Sequence, residues 1–133
     1  MIEIPAAAYK TGVDHITPLT NDALAILADL PVWSAGGYLF STNAGLTPSS
    51  GYSRAKQRFD RIVGFSDWTF HDIRRSVASH MAALGVPQEH VERVLGHKIP
   101  GIAEVYNKHS YLPERRAALE KWQQVLVMHV AEA

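Results

Sequence analysis

The sequence predicts a mainly helical α+β domain with a small β-hairpin or sheet near its N-terminus. Its 133 residues, 47% of them hydrophobic, suit one domain with a single core. Runs typical of strands are few, and all of them precede residue 51. Beyond that point apolar residues recur at helical spacing between Gly and Pro residues. Helices should therefore dominate the C-terminal half.

Two short strands are predicted at the N-terminus, over Glu3–Ala7 and His15–Leu19. Residues 10–14 join them, and Gly12 can supply the positive φ of the turn. A first helix should follow, capped by Thr20 or Asn21. Its apolar residues recur at helical spacing before a proline stop, and they are Leu24, Leu27 and Ala28, followed by Pro31.

The middle of the chain alternates short segments. Residues 38–40, Tyr-Leu-Phe, are predicted as a short strand or a buried extended segment. Residues 43–51 are rich in Gly, Ser, Thr and Pro, which predicts a loop, the most mobile part of the middle region. A helix is expected over 53–62, with three apolar side chains facing inward: Phe59, Ile62 and Val63.

Four further helices are predicted after residue 68. The first begins at Thr69 or Phe70, carries Val77 and Met81, and ends at Gly85 as a left-handed cap. Pro87 should start the second, which ends at Gly96 and turns three side chains inward: Val91, Val94 and Leu95. The third is short and covers residues 101–109. Pro113 should open the last, whose apolar stripe comprises Leu119, Trp122, Val125, Leu126 and His129.

Composition excludes several classes of protein. Cys is absent, so there is no disulfide framework and no thiolate metal site. No apolar run reaches the length of a membrane span, and the N-terminus lacks the regions of a signal peptide. Histidines without paired ligands at metal spacing make a zinc site improbable. These observations predict an intracellular domain without a metal or other cofactor.

The net charge is zero, but the charges are unevenly distributed. Residues 1–50 carry one base against four acids, and residues 51–116 carry eleven bases against seven acids. A single base of this kind is as typical of a solvated helix face as of a phosphate contact. As a group they favour contacts with backbone phosphates of DNA. The candidates for such contacts are Arg54, Lys56, Arg58, Arg75 and Lys98.

Four residues in the C-terminal half form the most informative cluster. His71 and Arg74 share a His-x-x-Arg box, His97 ends a Leu-Gly-His box, and Tyr106 lies nine residues later. Imidazole and guanidinium donors can stabilise the charge that gathers on a phosphodiester under attack. A tyrosine phenol can attack the phosphorus and retain the bond energy in a phosphotyrosine. The set therefore predicts cutting and rejoining of DNA.

These boxes, in this order, resemble the tyrosine recombinases of the phage-integrase family over nearly the whole chain. The text Tyr9-Lys10-Thr11-Gly12 and the Pro18-Leu19 that follows it resemble the family's lysine hairpin and helix entry. The resemblance implies the catalytic-domain fold of these DNA breaking-rejoining enzymes. It also implies that Tyr106 forms a 3′-phosphotyrosine and releases a 5′-hydroxyl. Arg74, His71 and His97 would hold the phosphate, and Lys10 would protonate the leaving oxygen.

One part of the family pattern has no counterpart here. The family carries another arginine on a helix before the lysine hairpin, and no arginine precedes Lys10. Residues 1–133 are therefore expected to be the C-terminal part of an integrase catalytic domain, inactive alone. The alternative function is a non-catalytic DNA-binding or interaction module. A type IB topoisomerase shares the chemistry, but the Leu-Gly-His box and the hairpin text favour an integrase.

Each site residue also has a plainer interpretation. His71 and Arg74 are spaced for a surface ion pair, and His97 stands where a histidine can cap a helix end. A lysine such as Lys10 is common in exposed turns. Tyr111 competes with Tyr106 as the nucleophile, but a tyrosine just before a helix more often packs, and the spacing from His97 favours Tyr106.

The expected partner is double-stranded DNA carrying attachment sites. Self-association is a second expectation, because family members pass C-terminal segments to a neighbouring protomer. For this chain, packing of the last helix on its own core is an equal alternative. A cytoplasmic, nucleoid-associated protein of bacterial or phage origin is expected, with no membrane contact.

Overall fold

The computed structural model describes residues 1–10, 12–97 and 110–131. In this part of the chain, helices and one two-stranded antiparallel sheet confirm the mainly helical α+β class. The helices are α1 (Asn21–Ala28), α2 (Tyr52–Val63), α3 (Phe70–Ala83), α4 (Gln88–Leu95) and α5 (Leu112–Ala131). The predicted helix over 101–109, with Tyr106 and the preceding Lys98, lies outside the described residues.

The chain divides into two compact units. Unit 1 comprises Met1–Leu24 and Phe70–Ala133, and unit 2 comprises Ala25–Thr69. Both strands and helices α3, α4 and α5 belong to unit 1, whereas α2 belongs to unit 2. The first helix begins in unit 1 and ends in unit 2. The histidine boxes and the lysine hairpin therefore fall in unit 1.

The N-terminal hairpin pairs β1 (Ile2–Ile4) with β2 (His15–Thr17). The register partners are Ile2 and Thr17, Glu3 and Ile16, and Ile4 and His15. Both strands are shorter than predicted, because Pro5 has no N–H for the ladder and Ala6–Ala8 forms a 3₁₀ turn. Gly12 has a φ of +71°, which confirms its expected role in the connection.

Helices α3, α4 and α5 enclose the core of unit 1. The buried residues are Met81 on α3, Val86 in the connection, Val91 on α4 and Ala118 on α5. Partly buried apolar side chains surround them: Val77, Ala78, Val94, Leu95, Leu119 and Trp122. The inward face predicted for α4 is thus confirmed, and Val77 and Met81 of α3 pack in the same core. Gly85 and Gly96, at φ +72° and +64°, end these helices as expected.

The last helix uses only the first part of its predicted apolar stripe to pack on unit 1. Leu119 and Trp122 contact the core, and the Trp122 ring lies 5.0 Å from that of His80. Farther along, Leu126 is 45% exposed and Val130 is 77% exposed. Packing on its own core therefore explains the beginning of α5 but not its end.

The prediction of a strand or a buried extended segment over residues 38–40 is wrong. Residues 38–40 form no strand, and their side chains are exposed. They lie instead in a loop closed by bonds from the Tyr38 N–H to the Gly45 carbonyl and from the Ser49 N–H to the Phe40 carbonyl. The predicted loop over 43–51 is confirmed.

Helix α2 forms where predicted, but its apolar side chains do not face a core. Phe59, Ile62 and Val63 are 50%, 74% and 39% exposed. The reason is that unit 2 has no second full-length helix to cover them. Phe59 makes an edge-on ring contact with Trp68 at 5.9 Å. The amphipathic pattern therefore predicted the helix correctly and its burial incorrectly.

Among the described residues, none of the helices combines the length and the apolar character needed to cross a bilayer. In the same residues no group of three His, Cys, Asp or Glu side chains could hold a metal ion.

Candidate active site

His71 and Arg74 lie one turn apart near the start of α3, as their spacing predicted. His71 is exposed and Arg74 is half-buried. His97 follows Gly96, the C-cap of α4, and α4 packs against α3. The two histidine boxes, far apart in sequence, therefore occupy neighbouring helices of unit 1.

The backbone around His97 is set by the way α4 ends. The Gly96 N–H donates to the Arg93 carbonyl at 3.3 Å, and the His97 N–H donates to the Glu92 carbonyl at 3.0 Å. These two bonds and the left-handed Gly96 form a Schellman motif. His97 therefore leaves the helix in a defined direction.

Arg74 connects the two boxes directly. Its Nη2 donates to the carbonyl of Leu95, the last residue of α4. That carbonyl has no partner within the helix, and a cation at a helix C-terminus is stabilised by the helix dipole. A guanidinium has five N–H donors, so this bond uses one of them. The Arg74 guanidinium is thus held beside the turn that carries His97.

The His97 ring is oriented by a carboxylate on the preceding helix. Its Nδ1 is hydrogen-bonded to Glu92, whose other carboxylate oxygen accepts from Gln88. Since a carboxylate only accepts, Nδ1 carries a proton and Nε2 is the ring's other nitrogen. The hydrogen bond from His97 is the main reason that the pKa of Glu92 lies below its usual value. His97 can therefore present Nε2 in a fixed direction.

Tyr9 and His15, on the hairpin, pack onto the Leu-Gly-His turn. The Tyr9 hydroxyl donates to the Gly96 carbonyl at 3.2 Å. The Tyr9 ring stacks on His15 with centroids 4.6 Å apart and planes 17° apart. A Cβ placed on Gly96 would lie 2.0 Å from the Tyr9 hydroxyl oxygen and 3.0 Å from His15 Cε1. Gly96 is therefore required both by its backbone conformation and by this close approach.

A buried arginine completes the cluster. Arg115, on α5, is 6% exposed, and its Nη2 lies 3.4 Å from Nε2 of His15. The Thr17 hydroxyl lies 3.1 Å from the same nitrogen. Burial is the main cause that lowers the pKa of His15, and the positive charges of Arg115 and Arg74 lower that pKa further. Because arginine only donates, Nε2 accepts and the His15 ring is neutral in this arrangement.

The pH dependence of folding follows from His15. Its pKa in the folded protein lies below 6.5, the ordinary value. As pH falls through 6.5 the unfolded chain therefore binds this proton first, so the free energy of unfolding should decrease from there towards the folded pKa. Above pH 6.5 the contribution should be constant. Urea unfolding at pH 7.5, 6.5 and 5.5 measures it.

The control for this pH effect is His15→Gln, which cannot titrate. It should be less stable than the wild type at pH 7.5 but lose less stability between pH 6.5 and 5.5. Glu92, whose ordinary pKa is 4.5, contributes only at lower pH. Equal losses in the two proteins would contradict the assignment to His15.

Sequence reasoning did not single out Tyr9, His15, Glu92 or Arg115 as part of the site. A weak signal existed for Tyr9, which immediately precedes Lys10, and for Glu92, five residues before His97. Arg115 carried no signal, since it looks like an ordinary charge in the first turns of a polar helix. Its burial and its contact with His15 depend on how α5 packs against β2.

Lys10 is placed through its backbone. It follows Tyr9, and the Gly12 N–H donates to the Tyr9 carbonyl at 2.9 Å, closing a turn around residue 10. The Lys10 side chain is exposed. Because Tyr9 is bonded to Gly96, the hairpin turn that contains Lys10 lies next to the Leu-Gly-His turn.

Tyr111 lies in a packed position. Its backbone has a φ of +53°, the Arg93 guanidinium stacks over its ring at 3.9 Å, and His90 lies 5.7 Å from it. Arg93 is also paired with Glu89 at 2.9 Å. Cation–π packing of this kind stabilises the junction before α5. The interpretation of Tyr111 as a packing residue agrees with these contacts.

The basic residues outside the histidine boxes differ in their surroundings. Arg54 and Arg58 are exposed on α2. Lys56 instead donates to Asp60 at 2.8 Å and to the Ser66 carbonyl at 3.2 Å. Its Nζ also lies 4.6 Å above the Trp68 ring. Lys56 therefore has a structural role within unit 2, whereas the two arginines do not share its contacts.

Arg75 is another exposed base, and it forms only a loose pair with Asp72. The distance between the charged atoms is 3.8 Å, and the two side chains are 73% and 48% exposed. Exposed pairs of this type contribute little to stability. A phosphate could therefore replace this carboxylate at little cost.

Lys56 and Arg58 can be separated by experiment. Lys56→Met should lower the free energy of unfolding by about 1–2 kcal/mol, since Asp60 loses a charged donor, and should leave DNA affinity nearly unchanged. Arg58→Met should leave the free energy of unfolding nearly unchanged. It should weaken binding to a 30-bp duplex and reduce the salt slope of that binding by about 1. Chemical denaturation and binding titrations at several salt concentrations test both. Equal effects on DNA affinity would contradict the distinction.

Comparison with known proteins identifies similar sequences. The family model described as "Phage integrase family" matches residues 1–112. Prophage integrase IntA of Escherichia coli (strain K12) is 26% identical over 122 residues. That match covers 90% of this chain and 30% of the relative, so the chain spans less than a third of that protein. No solved structure matches the chain.

Proposed function

Because this chain belongs to the phage integrase family, we propose that it acts in site-specific DNA recombination. The proposed reaction is strand cleavage and rejoining through a tyrosine. Under this proposal, the described helices and the hairpin adopt the catalytic-domain fold of tyrosine recombinases. The observation that carries it is the bond from Arg74 to the Leu95 carbonyl, which joins the His-x-x-Arg box to the Leu-Gly-His box.

The proposed chemistry assigns one role to each residue. The Tyr106 phenol oxygen attacks the scissile phosphorus, forming a phosphotyrosine bond as the bond from phosphorus to the 5′ oxygen breaks. His71 accepts the phenolic proton, and Lys10 donates a proton to the leaving 5′ oxygen. The guanidinium of Arg74 and the Nε2–H of His97, in a ring that also keeps its Nδ1–H on Glu92, donate to the non-bridging oxygens. The reverse steps rejoin the strand, so no outside energy source is required.

The site geometry supports this assignment in two ways. The Arg74 guanidinium is held at the end of α4, and Glu92 orients the His97 ring. Both donors are therefore preorganised, which is the condition for stabilising charge as it develops. The exposed position of His71 on the same helix as Arg74 suits a group that exchanges a proton with substrate.

DNA is the proposed partner of the exposed basic residues. On α2, Arg54, Arg58 and Arg61 are four and three residues apart, so they lie within about 60° of one another around the helix. A stripe of this kind suits a phosphate backbone. Arg75 and Lys98 are further proposed contacts, while Lys56 is left to its structural ion pair. A cytoplasmic site of action, on the nucleoid, follows from the same substrate.

Under the same proposal, the chain corresponds to the part of a catalytic domain that runs from the lysine hairpin to the tyrosine. The family's further arginine has no match here before Lys10, and a lost oxyanion donor lowers rate by about a hundred- to thousand-fold. The chain by itself should therefore recombine little. Its modest excess of bases over residues 51–116 should make its DNA binding weak and strongly dependent on salt. Another segment that carries this arginine should restore the rate.

The test is covalent capture. A protein that joins this chain to a segment carrying the further arginine is incubated with a nicked duplex that carries an attachment site, and denaturing gels show whether protein and DNA are joined. The nick removes the strand end needed for rejoining, so the phosphotyrosine accumulates. An adduct that resists denaturant supports the proposal. DNA binding with no adduct would support the alternative, a non-catalytic DNA-binding module.

Self-association through the end of α5 is a further part of the proposal. Leu126 and Val130, one turn apart, are 45% and 77% exposed, whereas Trp122 packs on the core. The double variant Leu126→Gln, Val130→Gln should shift sedimentation from dimer to monomer while leaving the thermal unfolding midpoint nearly unchanged. A wild-type protein that is monomeric at high concentration would contradict self-association.

A further inference from the structure

The carbonyls at the end of α4 need donors from outside the helix. The Schellman motif supplies partners for the carbonyls of Glu92 and Arg93. Farther along, the carbonyls of Leu95 and Gly96 receive bonds from Arg74 and Tyr9. The first donor belongs to the proposed phosphate site. The second belongs to the hairpin and has no role in the proposed chemistry.

Tyr9 does not reach Gly96 alone. Its ring is stacked on His15. A Cβ placed on Gly96 would lie 2.0 Å from the Tyr9 hydroxyl oxygen and 3.0 Å from His15 Cε1, so both side chains lie close to the Gly96 Cα. Since a side chain at Gly96 would displace them, the contact is between two rigid rings and bare backbone. A shift of either ring would move the turn that carries His97.

Arg115 contacts the stacked rings of Tyr9 and His15 through the His15 ring. It is 6% exposed, and among the described residues its Nε has no hydrogen-bond partner. A buried guanidinium with an unpaired N–H is less favourable than an apolar side chain of similar size. Its contact with Nε2 of His15 gives it a specific use. That use is to hold the His15 ring in the neutral form with Nε2 as acceptor.

We propose that Tyr9, His15 and Arg115 act as positioning residues, a brace that sets the place of the Leu95–Gly96–His97 turn relative to Arg74. None of the three touches the phosphate. They act by fixing where His97 Nε2 points. The inference rests on the proposed function only in treating His97 as a phosphate donor, since the brace itself is a statement about the conformation of the turn.

The brace requires His15 to be uncharged. The charged and titratable groups that face it are Arg115 from α5, Arg74 from α3 and the stacked Tyr9 phenol, and the Thr17 hydroxyl faces it from β2. Protonation of His15 would place a third positive charge beside two arginines and remove the acceptor at Nε2. The lowered pKa of His15 agrees with this arrangement.

The test uses Tyr9→Phe, which removes one oxygen and keeps the stacked ring. NMR spectra of ring-labelled histidines report the His97 environment and its titration midpoint, and titration with inorganic phosphate reports binding there. We expect a changed His97 signal and midpoint, and phosphate affinity weaker by about two- to ten-fold, as for loss of one hydrogen bond. Tyr38→Phe, at a tyrosine 51% exposed in unit 2, should change neither.

A second pair of variants tests the base of the brace. Arg115→Met should raise the His15 midpoint, because a nearby positive charge is lost, and should also change the His97 signal. Its neighbour Arg116, which donates to the Leu19 carbonyl at 3.0 Å, provides the control Arg116→Met. If an Arg115 variant fails to fold, Thr17→Val removes the other polar contact to His15 Nε2 and should also alter the His97 signal.

The outcomes separate the brace from the proposed function. If Tyr9→Phe and Thr17→Val lower stability but leave the His97 signal and midpoint equal to those of the control, the brace is overturned and the contacts are merely structural. If phosphate leaves the wild-type His97 signal unchanged, the phosphate role of His97 fails. In that case the His97 signals of the variants still decide whether the brace exists.

Discussion

Tyr106→Phe should abolish the covalent protein–DNA adduct while leaving DNA affinity nearly unchanged. The phenol oxygen is the only proposed attacking atom, so its removal stops phosphotyrosine formation entirely. The change removes no charge, and affinity for the duplex depends mainly on basic side chains. Covalent capture on a nicked duplex and binding titrations at fixed salt, both with the chain joined to a segment that carries the further arginine, measure the two quantities.

Tyr111→Phe is the matched control for this experiment. Tyr111 is five residues from Tyr106, but its ring is packed under the Arg93 guanidinium. The variant keeps that ring, so it should retain both the adduct and most of the stability. An adduct that persists in Tyr106→Phe and disappears in Tyr111→Phe would show that the spacing argument selected the wrong tyrosine.

Gly96→Ala should be among the most destabilising single-methyl additions in unit 1. A left-handed φ costs an alanine about 1–2 kcal/mol, and forcing a methyl group into filled space adds about 1–3 kcal/mol. The backbone term applies because φ is +64°, and the steric term applies because the Tyr9 hydroxyl oxygen lies 2.0 Å from the new Cβ. Chemical denaturation should show a loss of about 2–5 kcal/mol from these two terms together.

Gly85→Ala is the control that isolates the steric term. Gly85 also ends a helix of unit 1, at φ +72°, but nothing lies within 4 Å of its placed Cβ. It should lose only the backbone term, about 1–2 kcal/mol. In a Tyr9→Phe background the closest clash at Gly96 is removed, so Gly96→Ala should cost less there than in the wild type. Equal losses for Gly85→Ala and Gly96→Ala would contradict the close packing of Tyr9.

Local signals in the sequence predicted most of the secondary structure. The bounds of α3 and α4 follow from helical periodicity ended by Gly85 and Gly96, because a left-handed cap needs only the residues around it. The hairpin turn at Gly12 was predictable for the same reason. The errors occurred where the answer depends on neighbours. The 38–40 segment lacks a partner strand, and α2 lacks a helix to cover Phe59 and Ile62.

In the site, too, some features follow from local sequence and others depend on distant neighbours in the fold. The order and spacing of His71, Arg74, His97 and Tyr106 were sufficient to predict the family, which the match over residues 1–112 bears out. The roles of these four residues remain predictions, and Tyr106 lies outside the described residues. The orientation of His97 by Glu92 is a contact between residues only five apart, on either side of the helix end at Gly96.

The mainly helical class, the C-terminal ends of α3 and α4 and the family could be predicted from the residues alone, because each depends on short-range patterns of residue type. The side chains that support the Leu-Gly-His turn became apparent in the folded chain. Tyr9 meets Gly96 across 87 residues, and Arg115 meets His15 across 100. No local pattern encodes contacts of that separation, because they arise from the packing of α5 and the hairpin around a shared core.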